Sequence, residues 1–140
     1  MKKVVFDTNV LIAALRSRQG ASFLLLSLLG KQKFLSCVSV ALVLEYESVL
    51  KRPGNAPGLS DEDIEAILNY VCLVSQHQRI HFLWRPFLKD AKDDMVLELA
   101  VAAECTHILT FNRRDFKGCE QFNLTTRTPV EFLREIGELK

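Results

Sequence analysis

At 140 residues the chain has the length of one domain, enough to bury roughly two-thirds of its unfolded surface. A hydrophobic fraction of 49% with 25% charged residues is ordinary for a soluble globular protein, and no run approaches the ~18 apolar residues of a membrane span. The formal charge of +1 selects no partner by itself, although a local basic rim can still draw a polyanion. Cys37, Cys72, Cys105 and Cys119 are widely spaced, with no C-x-x-C pair or zinc-like Cys/His cluster, and the first three, in apolar surroundings, read as buried thiols of a reducing compartment. Lys2-Lys3 resembles the charged start of an export signal, but Asp7 interrupts the apolar run too soon, so the expected location is cytoplasmic.

In chain order, Val4 to Phe6 predicts a short buried strand, followed by helices over Asn9 to Ser17 and Ser22 to Gly30. Phe34 to Val38 predicts a second strand. Ser39 is placed to cap a helix running to Leu50, which Pro53-Gly54 stops. Lys51 to Gly58 is a Pro- and Gly-rich loop. Ser60 with Asp63 forms a capping box ahead of a helix whose Ile64, Ile67, Leu68 and Val71 share one face. Arg79 to Phe82 suggests a third strand, and Asp93 or Asp94 is expected to open a helix over Met95 to Glu104. His107 to Phe111 and Phe122 to Thr125 predict strands four and five, and Pro129 starts a last helix over Val130 to Ile136. Strands alternating with helices predict a mainly parallel sheet of about five strands with helices on both faces, an α/β fold over residues 1–140 as a single domain.

The acids at element boundaries carry the chemistry. Asp7 falls where the first strand ends, the position at which open α/β sheets bind ligands. Glu45, Asp93 and Asp115 lie at comparable boundaries, and together the four read as a site for a divalent cation. Each also has a plainer explanation. Asp7 can cap the following helix, Glu45 can be solvated like Glu47, and Asp93 and Asp94 suit a helix N-terminus. Asp115 sits in a polar loop. Clustered carboxylates raise one another's pKa unless positive charge compensates, and Mg²⁺ or Mn²⁺ supplies that charge while preferring oxygen ligands. Other chemistries lack their markers: there is no G-x-G-x-x-G or Walker loop, no G-x-S-x-G elbow and no H-E-x-x-H. His107 is expected to be structural.

Four segments then resemble the PIN-domain nucleases. Val4-Val5-Phe6-Asp7-Thr8-Asn9-Val10-Leu11 is similar to their opening, and Ser39 through Glu45 to their second acidic helix. Asp90 through Ala100 resembles the third motif, with Ala91 where proline is common, and Thr110 through Phe116 the fourth. Thr128-Pro129-Val130-Glu131-Phe132-Leu133 also matches a subgroup of toxins from toxin–antitoxin systems (VapC-like). The resemblance implies a three-layer α/β/α, Rossmann-like fold and a Mg²⁺- or Mn²⁺-dependent endoribonuclease. It implies metal-binding roles for Asp7, Glu45, Asp93 and Asp115, with Asp94 the alternative to Asp93. Thr8, Asn9 and Asn112 would support them. The partners it implies are RNA, a cognate antitoxin and a second copy of the chain.

Arg16, Arg18, Arg113, Arg114 and Lys117 flank the first and fourth motifs and are candidates for holding RNA phosphates. No array of exposed aromatics is visible in the sequence to suggest base stacking. Phe23 to Leu29 is apolar enough to be core, or to pack on a second subunit or an antitoxin. Two further readings share these residues: a PIN-like module that binds RNA or protein without cutting, and a metal-dependent phosphatase or DNA nuclease.

Overall fold

The computed structural model describes residues 1–80 and 87–140. In chain order the elements are β1 (Lys3–Phe6), α1 (Thr8–Arg16), α2 (Ala21–Ser27), β2 (Leu35–Val38), α3 (Val40–Leu50), α4 (Asp61–Val74), β3 (Gln76–His77), α5 (Ala91–Ala102), β4 (His107–Leu109), β5 (Thr125–Arg127) and α6 (Pro129–Glu135). Two 3-10 turns, Arg113–Phe116 and Cys119–Phe122, lie between β4 and β5. The five strands form one sheet in the order β3-β2-β1-β4-β5, and each neighbouring pair is parallel. This is the α/β architecture the alternating pattern predicts.

The strand order decides where a site can form. From β1 the chain steps outward through β2 to β3, then returns across the sheet to β4 and β5 on the other side of β1. Right-handed crossovers in opposite directions place their helices on opposite faces. The carboxyl ends of β1 and β4 therefore diverge and leave a crevice between them. Asp7 closes the end of β1 by donating its backbone N–H to the Leu109 carbonyl at 2.9 Å, and the Thr110 N–H bonds the Arg127 carbonyl at 3.0 Å. The two strand ends are fixed side by side.

Apolar packing holds that arrangement. Val4, Val5 and Phe6 of β1 are buried, as are Ile108 and Leu109 of β4. The α5 residues Val96, Leu97, Leu99 and Ala100 are also buried, and the helix packs against β1, β2 and β4. At ~1.5–3 kcal/mol for each large side chain removed from water, this strip outweighs any single polar contact in the fold. Tyr46 on α3 is 1% exposed, and its hydroxyl donates to the Phe6 carbonyl. That bond ties α3 to the last residue of β1. The caps form where expected: Ser39 accepts from the Leu42 N–H at 3.2 Å, and Ser60 with Asp63 makes a reciprocal capping box. Thr128 and Glu131 make another, ahead of Pro129 in the first turn of α6.

Several expectations need correction. β3 is Gln76–His77, earlier than the expected Arg79 to Phe82; Arg79 and Ile80 lie outside the strand, and His81 and Phe82 lie outside the described residues. An edge strand is chosen by pairing rather than by apolar content, and here Gln76 and His77 pair with Cys37 and Val38. β5 likewise falls on polar Thr125–Arg127; Phe122 ends a 3-10 turn, and Asn123 in the left-handed region (φ 61°) redirects the chain. α5 starts at Ala91 rather than Met95, because Asp90 is the N-cap and accepts from the Lys92 N–H at 2.9 Å. Asp93 and Asp94 thus sit inside the first turn and do not open the helix. α2 ends at Ser27, and β4 ends at Leu109 rather than Phe111. Within the apolar run, Leu25 of α2 and Leu29 beyond it are buried while Phe23, Leu24, Leu26 and Leu28 are partly exposed, and α2 packs on α1 and α6. Among the described residues, no helix is long and apolar enough to cross a membrane.

Candidate functional site

At the divergence of β1 and β4 lies a cavity of about 210 Å³. Its walls include Asp7, Thr8 and Asn9 from the β1–α1 junction, Glu45 from α3, Asp90, Lys92 and Asp93 from the start of α5, and Asn112 and Asp115 from beyond β4. Four segments far apart in sequence thus bring five acids and one lysine to a single crevice.

Asp7 is both a helix cap and the most firmly held of these acids. Its Oδ1 accepts from the Thr8 N–H at 2.9 Å. Its Oδ2 accepts from the Thr110 hydroxyl at 2.7 Å and from Asn9 Nδ2 at 3.2 Å. Burial raises its pKa; the Thr110 and Thr8 hydrogen bonds oppose that rise, and the charge of Asp115 adds to it. Asp93 is perturbed further, up to about 7, first by burial and then by Asp7, Asp115, Asp90 and Asp94. Glu45 meets Lys92 across the crevice, with Nζ 3.4 Å from Oε1.

Carboxylates that repel one another in a partly dry crevice suit a cation. Among the described residues, no group of three or more His, Cys, Asp or Glu side chains is arranged to hold a metal ion. The donor set nonetheless fits Mg²⁺, which keeps much of its water and takes one or two carboxylates directly. The acids supply all-oxygen donors, and burial together with the neighbouring acids raises the Asp93 pKa, a charge environment a cation would relieve.

The fold and the positions of these acids can be set against known proteins. The family model of the PIN domain matches residues 3–114, four-fifths of the chain, ending one residue short of Asp115. This chain belongs to the PIN domain family. PIN domains are generally nucleases that use divalent metals. No curated protein matches the sequence. A chain of the VapBC2 complex from Rickettsia felis, solved bound to a DNA fragment from their promoter, is similar in fold: TM-score 0.61 at 14% identity, covering 89% of this chain and 98% of that one.

Within this PIN domain the expected site residues fall into two groups. Asp7, Glu45, Asp93 and Asp115 line the crevice together with Thr8, Asn9 and Asn112. Asp94 does not. It is buried, and its Oδ1 accepts from the Leu88 N–H at 2.8 Å and the Phe87 N–H at 3.3 Å, which secures the chain entering α5. The helical turn explains the split, since adjacent residues point about 100° apart. Arg16 is also elsewhere, at the far end of α1, where it donates to the Gly54 carbonyl at 3.2 Å and Asn55 Oδ1 at 3.3 Å. Arg18 borders a separate small cavity with Phe23 and Leu59. Arg113 pairs with Glu131 of α6. Arg114 and Lys117 remain beside the crevice, in an adjoining cavity of about 520 Å³.

The PIN crevice also depends on residues to which sequence reasoning gave no role. The Thr110 hydroxyl holds Asp7, and its oxygen also accepts from the Asn112 N–H at 3.0 Å. One side chain therefore couples the first acid to the turn bearing the fourth. Asp90 and Lys92 enter the wall through the earlier start of α5. Tyr46, next to Glu45, fixes α3 beneath β1. A threonine just past a strand end and a tyrosine beside an acid were the available signals, and both are weak without tertiary contacts.

Proposed function

We propose that this PIN domain, acting as one unit over residues 1–140, is a metal-dependent endoribonuclease and the toxin of a toxin–antitoxin pair. The observation that carries the reading is the convergence of Asp7, Glu45, Asp93 and Asp115 at the fork between β1 and β4, with Asp93 raised to about 7 by burial and by the neighbouring acids. The family supports a nuclease, and the fold likeness to a chain of a VapBC2 complex supports the toxin reading.

In this reading Asp7, Glu45, Asp93 and Asp115 hold Mg²⁺ or Mn²⁺, with Asp93 rather than Asp94 as the third acid. The cation would lower the pKa of a water and neutralise charge on the leaving oxygen. The chain's own contribution is placement. Thr110 and Asn9 fix the Asp7 carboxylate, as supporting residues fix metal ligands generally. Lys92 pairs with Glu45 and holds its carboxylate in the crevice. Arg114 and Lys117, with Arg113 at the edge, hold phosphates flanking the scissile bond. Arg16 has no part in this.

A second copy and an antitoxin complete the proposed assembly in the cytoplasm. The exposed apolar side chains of α3 and α4, Val40 and Leu44 with Tyr70 and Leu73, are candidates to meet them. The test is titration of Mn²⁺ into wild type and Asp7→Asn, followed by incubation of both with single-stranded and structured RNA. Metal binding and RNA cleavage, both lost in a folded mutant, support the assignment. Retained cleavage in metal-loaded Asp7→Asn overturns it, and cleavage of DNA alone overturns the ribonuclease reading.

A further inference from the structure

Beside the acidic crevice lies a surface with different chemistry. The adjoining cavity shares Asp90, Asp93 and Asp115 with the crevice and adds Phe87, Lys89, Arg114 and Lys117. Phe87 is 42% exposed. It is also held in place. Its ring meets Phe122 edge-on at a centroid distance of 5.4 Å. It lies so close to Gly118 that a Cβ there would stand 3.3 Å from two of its carbons, and Gly118 has φ +95°, a conformation L side chains rarely adopt. The backbone Phe87 N–H is fixed in turn by Asp94. A buttressed aromatic with much of its surface in water is preorganised for stacking.

The cations around it are similarly available. Arg16, Lys92 and Arg113 are engaged with Asn55, Glu45 and Glu131 respectively. Lys89, Arg114 and Lys117 are exposed, and none has an ion pair or side-chain hydrogen bond among the described residues. The turn Arg113–Phe116 presents Arg114 outward because Phe116 is anchored in the core at 1% exposure.

We propose that Phe87, backed by Gly118 and Phe122, is the stacking platform for an unpaired nucleotide next to the scissile phosphate, with Lys89, Arg114 and Lys117 holding the flanking phosphates. The inference rests on the ribonuclease reading and deepens it: the site takes a strand whose base can leave its stack, because a duplex presents no free π-face to Phe87. Phe87 is a binding and specificity residue and has no part in bond cleavage.

The test uses an RNA decamer carrying 2-aminopurine, bound in EDTA to the Asp7→Asn protein so that the strand stays intact. Phe87→Leu keeps the packing on Phe122 while removing the π-face, and Phe87→Trp restores it. The expected result is a Kd about tenfold weaker for Phe87→Leu, recovered in Phe87→Trp, with 2-aminopurine quenching lost and regained in parallel. Lys89→Gln and Lys117→Gln should each lower the slope of log Kd against log salt by about 0.7. In the otherwise wild-type enzyme, Phe87→Leu should raise KM and leave kcat within about twofold. An unchanged Kd and unchanged quenching in folded Phe87→Leu overturn the platform while Asp7-dependent cleavage leaves the ribonuclease standing. Absence of RNA cleavage by the wild type, together with absence of RNA binding, overturns both.

Discussion

The two ends of the central sheet treat carboxylates in opposite ways. At the carboxyl end, Asp7, Glu45, Asp90, Asp93 and Asp115 share one crevice in which Lys92 is the one basic side chain among the described residues. At the amino end, the single carboxylate of Glu135 gathers Lys2 Nζ at 2.8 Å, His107 Nε2 at 2.7 Å and Arg127 Nε at 3.2 Å. His107 is fastened at its other nitrogen by the Thr106 hydroxyl at 2.7 Å and packs edge-on against Phe132. Its role there is structural. One end is electrostatically complete and stabilises the fold. The other carries unbalanced negative charge, which the fold tolerates because the apolar strip of β1, β4 and α5 supplies the stability. Incomplete charge at a strand fork is the property expected of a ligand site.

Breaking the crevice should have the largest effect. Asp7→Asn or Asp93→Asn is expected to lower metal-dependent RNA cleavage by at least about 100-fold while circular dichroism stays native; single-turnover assays in Mn²⁺ measure it. Thr110→Val comes next, since losing the donor to Asp7 Oδ2 should weaken Mn²⁺ affinity about tenfold, read by calorimetry. At the opposite end, Glu135→Gln should cost on the order of 1–2 kcal/mol in urea unfolding and leave metal binding unchanged.

The pH dependence sharpens the contrast. The folded pKa of Asp93, about 7, lies above the ordinary 3.8, so the native state holds more protons than the unfolded chain between those values. Stability from this group therefore falls as pH rises from about 4 to 7 and is flat beyond. Asp93→Asn should remove that loss, raising stability at pH 8 by on the order of 1 kcal/mol, after allowance for solvent screening, and by little at pH 4. A mutant that is more stable and inactive marks a functional site. His107 runs the other way. Burial lowers its pKa despite Glu135, so its contribution is present above the ordinary 6.5 and is lost as pH falls below it. The smallest effect belongs to the exposed Lys33–Glu138 pair at 3.1 Å, where Lys33→Gln should change stability by less than about 0.5 kcal/mol.

Asp7, Glu45, Asp93 and Asp115, singled out in the sequence as boundary acids, line one crevice, although only Asp7 follows a strand end directly and Glu45 sits in the middle of α3. What could not be read was the direction of side chains within a turn. Asp93 and Asp94 are equivalent by composition, yet one faces the crevice and the other holds Leu88. Arg16 and Arg114 are equally basic near a motif, yet one is tied down by Asn55 while the other stays beside the acids. Phe87 and Phe111 are half exposed next to the crevice, although nothing in their sequence context separates them from core phenylalanines.

Local patterning determined β1, α3, α4, the caps at Ser39 and Ser60 and the start of α6 at Pro129, since short apolar runs and hydroxyl or acid caps act over a few residues. It also determined the parallel α/β architecture, because alternating strands and helices leave few other ways to bury both. The positions of β3 and β5, the hold of Thr110 and Tyr46 on the crevice, and the buttressing of Phe87 by Gly118 were decided by tertiary structure alone. Edge pairing, hydrogen bonds between residues about 40 or 100 positions apart, and ring-on-backbone contact leave no local periodicity, and only the closed sheet brings those groups together.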